Sequence, residues 1–423
     1  MRVILSRRRR DAEIRRRISS VFFFPPRLCV SARVIFLWVF SFFASVACLA
    51  RVSSLLRSCL YISVLGTLAC QQPPARPDVQ SNLADNPPQL LSAWRLFELD
   101  AHSFAPARDG IVYELNTPLF SDYAHKLRSI HLPKDKKMRF DSDTIELPVG
   151  TLITKTFYYD LADAMARDRT VRETPQREAT TLDTQRVRLL ETRLLINTPA
   201  GWVALPYVWN EAQTDARLEL AGESLELTLH RSHGAEPFVY EVPDGNQCAG
   251  CHTLDQQQRR IEPIGIKPRH LNRIGHDGDN QLIHWSRQSL LLDVPTVSRE
   301  PRNAKWNDLT ETLESRVRAY LDVNCGHCHS ETGPANTSGL FLDAAESDST
   351  KLGICKVPVA TGRGAVTGTF DIVPGAPDES ILLLRMLSTE PDIAMPELGR
   401  SLIHEEGAAL IRDWIASLPG QCE

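Results

Sequence analysis

Between Trp94 and Val242 the apolar positions follow the two-residue period of strands. Thr151–Tyr159, behind Pro148-Val149-Gly150, reads as one strand. Leu189–Ile196 reads as a second, Asn197-Thr-Pro-Ala-Gly201 as a turn, and Trp202–Trp209 as a third. Leu225-Glu-Leu-Thr-Leu229 alternates cleanly. Residues 160–186 are mostly charged and polar and predict an exposed helix or long loop. Together these elements predict one antiparallel β domain over residues 91–242, sandwich-like in build. It carries no nucleophile elbow and no phosphate-binding loop, so its scattered His, Asp and Glu residues read as surface.

Beyond Cys248 the pattern changes to helices and loops. Asp308 and Glu311 have capping-box spacing ahead of Leu309, Leu313, Val317 and Leu321, predicting a helix that delivers Asn324 and Cys325. His404–Leu418 places Leu410, Ile411, Trp414, Ile415 and Leu418 on one helical face. The expected fold class is therefore multi-domain, an antiparallel β domain followed by mainly α segments over 243–300 and 301–423.

The first 70 residues stand apart. They hold twelve Arg against two acids, a net charge of +10, with apolar stretches at Val34–Ala50 and Cys59–Ala69. A basic flank, a short apolar run and small residues before a cut predict an export signal. Leu68-Ala69-Cys70 resembles a lipoprotein signal ending, with Cys70 as the lipidated residue. The stretch 34–50 reads either as a membrane anchor or as sequence ahead of the true start. Residues 71–90, rich in Pro, Asn and Gln, read as a linker. The remaining chain is acidic, 36 basic against 50 acidic residues. That balance argues against a nucleic-acid partner.

Ten Cys in 423 residues are too few for a disulfide scaffold. Four of them form Cys248-Ala-Gly-Cys251-His252 and Cys325-Gly-His-Cys328-His329. Two thiols separated by two residues on one turn can reach both vinyl groups of a haem, and the following His then faces the iron. Covalent haem is the expected cofactor of each motif, through Cys248 and Cys251 with His252, and Cys325 and Cys328 with His329. A zinc site of four cysteines usually spaces its pairs by about 15–20 residues, whereas 73 residues separate Cys251 from Cys325. A dithiol redox site is the other alternative, but no thioredoxin-like βαβ pattern surrounds either motif. Haem is attached to unfolded chain on the oxidising side of the membrane, which disfavours export of a folded protein.

For the second haem the sixth ligand expected is Met395, 66 residues after His329 in Ala394-Met395-Pro396-Glu397. A thioether favours the ferrous state and raises the potential. Met386 is the rival, but its surroundings look helical. For the first haem no Met lies between His252 and Met386. His270 and His284 are the leading candidates, with His276, Met138, Met165, a His of the β domain, or an open iron as alternatives. Bis-His ligation implies electron relay, and an open iron implies ligand binding.

Tyr113-Glu-Leu-Asn-Thr-Pro-Leu-Phe-Ser-Asp-Tyr123, Glu191-Thr-Arg193, Trp209-Asn-Glu211, Pro263-Ile-Gly265 and Leu271-Asn-Arg273 resemble the signature of a conserved family of bacterial di-haem c-type cytochromes. Asn324–His329, Ser338-Gly-Leu340, Pro374-Gly375, Ser380-Ile-Leu382, Met395-Pro396 and Trp414-Ile415 are similar to c-type haem domains of exported bacterial proteins. The resemblance implies cytochrome c-like haem segments after the β domain and no assigned substrate. The expectation is a periplasmic electron carrier with a redox-protein partner, reaching the membrane only through its leader or a lipid at Cys70. The alternative is a haem enzyme, peroxidase-like or a small-molecule dehydrogenase, with catalysis at the first haem. In an oxidising compartment the two leftover thiols, Cys355 and Cys422, are expected to pair.

Overall fold

The alternating segments fold into one nine-stranded sheet in the computed structural model, which describes residues 86–423 apart from 164–168, 276–277, 297–299, 360–362 and 364–367. The leader, Cys70, most of the linker, Met165 and His276 lie outside the described residues. The strands are β1 (Gly110–Val112), β2 (His125–His131), β3 (Leu152–Leu161), β4 (Thr170–Arg172), β5 (Val187–Thr198), β6 (Gly201–Trp209), β7 (Ala216–Leu218), β8 (Glu223–Arg231) and β9 (Gly234–Val242). One half runs β7-β6-β5-β3. On the other edge of β3, β2 pairs with Leu152–Tyr158 and carries β1. Further along that edge β4 pairs with Asp160 and Leu161 and leads to β8 and β9. Every pairing in the sheet is antiparallel except β4 with β8. Gly201 turns the β5–β6 hairpin at a φ of 117°, where a side chain would be strained. Within 160–186, expected to be helix or loop, β4 is a strand; three residues are too few to show a period.

The sheet is not half of a sandwich, and this corrects the expected fold class. One face packs Leu127, Tyr158, Leu194 and Tyr207 against Leu91, Trp94 and Phe104. The opposite face packs Ile130, Ile153 and Leu195 against Ile266, Leu271 and Trp285, and Phe157 and Tyr159 against Leu402. That second face is covered by chain beyond Val242 together with a small three-stranded sheet of Met138–Asp141, Thr144–Glu146 and Leu291–Leu292, whose Met138, Phe140, Ile145 and Leu291 join the same cluster, and not by the matching large sheet that a sandwich needs.

That later chain is not mainly α either. Six short helices occur among the described residues: α1 (Gly245–His252), α2 (Pro268–Leu271), α3 (Gln281–Arg287), α4 (Leu313–Asn324), α5 (Ile381–Met386) and α6 (Glu405–Ser417). Turns and loops join them, with a small hairpin of Thr253–Asp255 and Arg260–Ile261. Leu291 and Leu292 add to a strand at Met138–Asp141. The described chain is thus mostly β with short helices. Pro334, Pro374, Pro377, Pro391 and Pro396 interrupt what would otherwise be longer helical runs.

Helix α4 starts four residues later than the capping pattern implies. The Thr312 hydroxyl accepts the Ser315 N–H, whereas Asp308 closes a turn on Thr310. Val317 and Leu321 of α4 pack on Leu410, Ile411, Trp414 and Ile415 of α6, as the apolar stripe of α6 predicts. Cys355 and Cys422 are disulfide-bonded, with Cα atoms 5.2 Å apart. Among the described residues no helix is long and apolar enough to cross a membrane.

Candidate functional site

Helix α1 exists to present the first motif. The Asp244 carboxylate accepts the Gln247 N–H at 2.8 Å, and the Gln247 side chain accepts the Asp244 N–H at 3.0 Å. This reciprocal cap sets the first turn, so Cys248, Cys251 and His252 follow on one short helix. The second motif is built by turn closure. The His329 N–H donates to the Cys325 carbonyl at 2.8 Å, and the Cys328 N–H to the same oxygen at 3.0 Å. Gly326 is required there, because a Cβ would lie 2.8 Å from the Asp322 carbonyl oxygen and 2.9 Å from the Asp343 Cα.

In each motif the terminal histidine has its Nδ1 side engaged. His252 Nδ1 sits 2.7 Å from the Glu262 carbonyl oxygen. His329 Nδ1 lies 3.4 Å from the Ser338 hydroxyl, with the Leu340 backbone nearby. The carbonyl on His252 Nδ1 fixes the tautomer that leaves its Nε2 as the metal-facing nitrogen. Burial lowers both rings, His252 to about 3 and His329 to about 4, so both are neutral and able to ligate.

The two motifs abut. The Thr332 hydroxyl donates to the Leu254 carbonyl, and the Gln256 N–H to the Thr332 carbonyl at 2.9 Å. A Cβ on Gly250 would lie 3.5 Å from Leu398, in the loop that carries Met395. That loop is pinned by Arg400, which donates to the Met395 carbonyl at 2.9 Å, and by the Met395 N–H on the Arg385 carbonyl. Arg400 also reaches Cys325 electrostatically, Glu397 reaches Cys328, and Arg385 reaches His329. Met395's loop thus runs beside both motifs, with Leu398 facing Gly250 of the first and Glu397 and Arg400 within electrostatic reach of the second. Met386 packs against the α4–α6 core, and Met138 is buried under the sheet.

The leading histidines for the first haem are engaged elsewhere. His270 on α2 has Nε2 3.4 Å from the Asp322 carboxylate and Nδ1 3.3 Å from Asn303. Asp322 is gripped by both nitrogens of an Arg269 fork at 2.8 Å. His284 on α3 has its Nε2 2.8 Å from the Gln288 amide and lines an open cleft with Ile111, Leu132 and Trp285.

Arg128 and Lys155 shape the site and were not singled out from the sequence, whereas Glu191, Arg193 and the segment 113–123 entered only as part of the resemblance, with no role attached. On the sheet face toward the motifs, Arg128, Lys155 and Arg193 form one cross-strand row. Arg128 pairs with the buried Glu114 at 2.8 Å, and Arg193 with Glu191, which also accepts from Tyr240 at 2.7 Å. Burial lowers Lys155 to about 7, with the neighbouring Arg128 and Arg193 charges adding to the shift. Lys155 and Arg193 both lie within electrostatic reach of Cys251 and His252. Three cations in one row break the apolar alternation, which was the available signal. The segment 113–123 proves to be the clamp between sheet and later chain. Asn116 donates to the Arg269 and Asn272 carbonyls, Thr117 to Ala304, and the Phe120 N–H to Asn324. The Asp122 carboxylate accepts the Ser401 and Leu402 N–H groups.

Burial pushes the Cys325 and Cys328 thiols up to about 12 and raises those of Cys248 and Cys251. A redox dithiol needs the opposite shift. Among the described residues no three His, Cys, Asp or Glu side chains converge to hold a metal ion, so the four thiols do not form one zinc site. Two thiols, a following His with Nδ1 engaged and a nearby Met loop are the donor set that covalent haem requires, and the residues fit that group. Compared with known proteins, the chain matches no family model, no curated protein and no solved structure.

Proposed function

We propose that the chain is an exported di-haem c-type cytochrome that passes single electrons to or from a redox-protein partner. The observation that carries this is the pair of abutting CxxCH turns, each with its histidine Nδ1 side engaged. Cys248 and Cys251 would hold one haem by thioether bonds with His252 on its iron. Cys325 and Cys328 would hold the other, with His329 and Met395. When bound, each haem supplies an iron that changes oxidation state by one electron. The chain's own part is to fix the ligating imidazoles, pin the Met395 loop and keep the motifs adjacent. Lys155 and Arg193 place positive charge beside the first motif, which favours its reduced state. The periplasm is the compartment this chemistry needs, and the Cys355–Cys422 bridge supports an oxidising one. A redox titration of the matured protein should resolve two reversible one-electron steps with c-type absorption bands. Absence of those bands after expression with the haem-attachment machinery would overturn the proposal.

A further inference from the structure

Four cations share one face of the sheet: Lys126 and Arg128 on β2, Lys155 on β3 and Arg193 on β5. Three of them have acceptors. Lys126 donates to the Leu119 and Ala124 carbonyls, Arg128 to the Glu114 carboxylate, and Arg193 forks onto Glu191. Lys155 makes no hydrogen bond and no ion pair among the described residues; its ammonium stands 5.9 Å from the Phe157 ring centre. Arg128 and Arg193 are its direct cross-strand partners, so it is held between two like charges. The Glu191 carboxylate within its reach is already taken by Arg193 and the Tyr240 hydroxyl. An ammonium so placed costs free energy unless an anion is brought to it. The row leads to the first motif. Pro206 of β6 continues it opposite Arg193, and helix α1 and the Arg260–Ile261 strand both pack on β6. Two residues along the same face, Ile153 and Leu195 share a cluster with Ile261 and Val323. Ile261 precedes Glu262, whose carbonyl holds His252, and Val323 stands two residues before Cys325. Strands flank Lys155 on both sides, yet its side chain stays half-buried and open to a further partner. Cys251 and His252 lie within its electrostatic reach.

We propose that Lys155 binds a propionate carboxylate of the haem carried by Cys248 and Cys251. This rests on the two-haem reading and gives Lys155 a direct contact where that reading gives it only a field. A haem bound through its two vinyl groups still carries two propionates, and each is an anion that needs a partner where the chain covers it. A carboxylate on Lys155 forms a charge-assisted hydrogen bond and offsets the like charges of the row. It leaves the Arg128–Glu114 and Arg193–Glu191 pairs as they stand. The contact fixes how the first haem sits against the sheet. Loss of the ammonium leaves that propionate's negative charge uncompensated, which favours the ferric state and lowers the potential.

The test uses the full-length, exported and matured protein, the first haem being the one whose potential Met395→Ala leaves unchanged. Lys155→Met should shift a propionate-bending band of the resonance Raman spectrum to lower frequency and lower the first haem's potential, with both haems still covalent. Lys155→Arg should keep the band and most of the potential. A lowered potential with an unmoved band in Lys155→Met is a long-range charge effect only, and it overturns the contact. So does a Lys155→Met protein with both unchanged. Added acetate should leave the unaltered protein as it is; a saturating shift assigns Lys155 to a free carboxylate and overturns the propionate. If Lys155→Met does not fold, Lys155→Gln should lower the first haem's potential, and an unchanged value there overturns the proposal. A chain carrying no covalent haem defeats the two-haem reading itself, which separates the two failures.

Discussion

The first CxxCH turn leans on a β-sheet, whereas the second sits inside a small module of helices and loops. Around the first, support comes from Lys155 on β3 and Arg193 on β5, far away in sequence, and from the Glu262 carbonyl just beyond the hairpin. Around the second, it comes from residues 313–418, where α4, α6 and the Met395 loop enclose the turn, and the Cys355–Cys422 bridge closes 67 residues of it. The difference teaches how one chain can give two like motifs unlike properties. The sheet places buried Arg193 beside the first motif and Lys155 within reach of both, and the loop module holds Met395, the thioether proposed for the second.

That comparison can be broken one site at a time. The largest effect is expected from the thiols. Cys251→Ala and Cys328→Ala should each weaken attachment of one haem and leave the other covalent, as pyridine haemochrome assays on denatured protein would show. Arg193→Met comes next. It strips Glu191 of its buried partner, which costs about 3–5 kcal/mol when one member of such a pair is removed. Chemical denaturation should register that loss, and the first haem's spectrum should change while the second's does not. Met395→Ala should have the converse signature. The thioether-to-iron band of the ferric spectrum disappears and one potential falls, with the first haem unaffected.

Cys422→Ser should lower stability by roughly 2–4 kcal/mol in the oxidised protein. Reduction of the unaltered protein should reproduce most of that loss in a denaturation curve. A last effect, confined to a narrow pH window, concerns acid. Burial holds His404 at about 4, below its ordinary 6.5, where it stacks on Phe120 and bonds to Tyr320 at 2.9 Å. Below pH 6.5 the unfolded chain gains a proton that the folded ring refuses. Stability should therefore fall between pH 6.5 and 4 by up to about 1.4 kcal/mol per unit from this group. His404→Phe should flatten the pH dependence of the denaturation midpoint in that window. An unchanged slope would place the acid sensitivity elsewhere.

How much of this was legible in the sequence depended on whether the signal was local. The strands around Thr151–Tyr159, Leu189–Ile196 and Trp202–Trp209 carry their period within themselves, and so does the apolar stripe of α6. The CxxCH turns are equally local. The second layer over the sheet was not legible, because Ile266, Leu271, Trp285 and Leu402 reach Ile130, Ile153 and Tyr159 only through tertiary packing. The expected sandwich failed for that reason, and the mainly α expectation failed because apolar residues after Cys248 are held by turns between prolines. The His270 expectation met a similar limit. Its Asp322 and Asn303 partners lie 52 and 33 residues away, and no spacing rule connects them.

The central claim is that this chain holds two haems by covalent bonds. The most direct measurement is the intact mass of the denatured protein after export and maturation. The account predicts the mature polypeptide plus two haems, falling to one haem when either CxxCH pair is replaced by alanines. A mass equal to the bare polypeptide would contradict it.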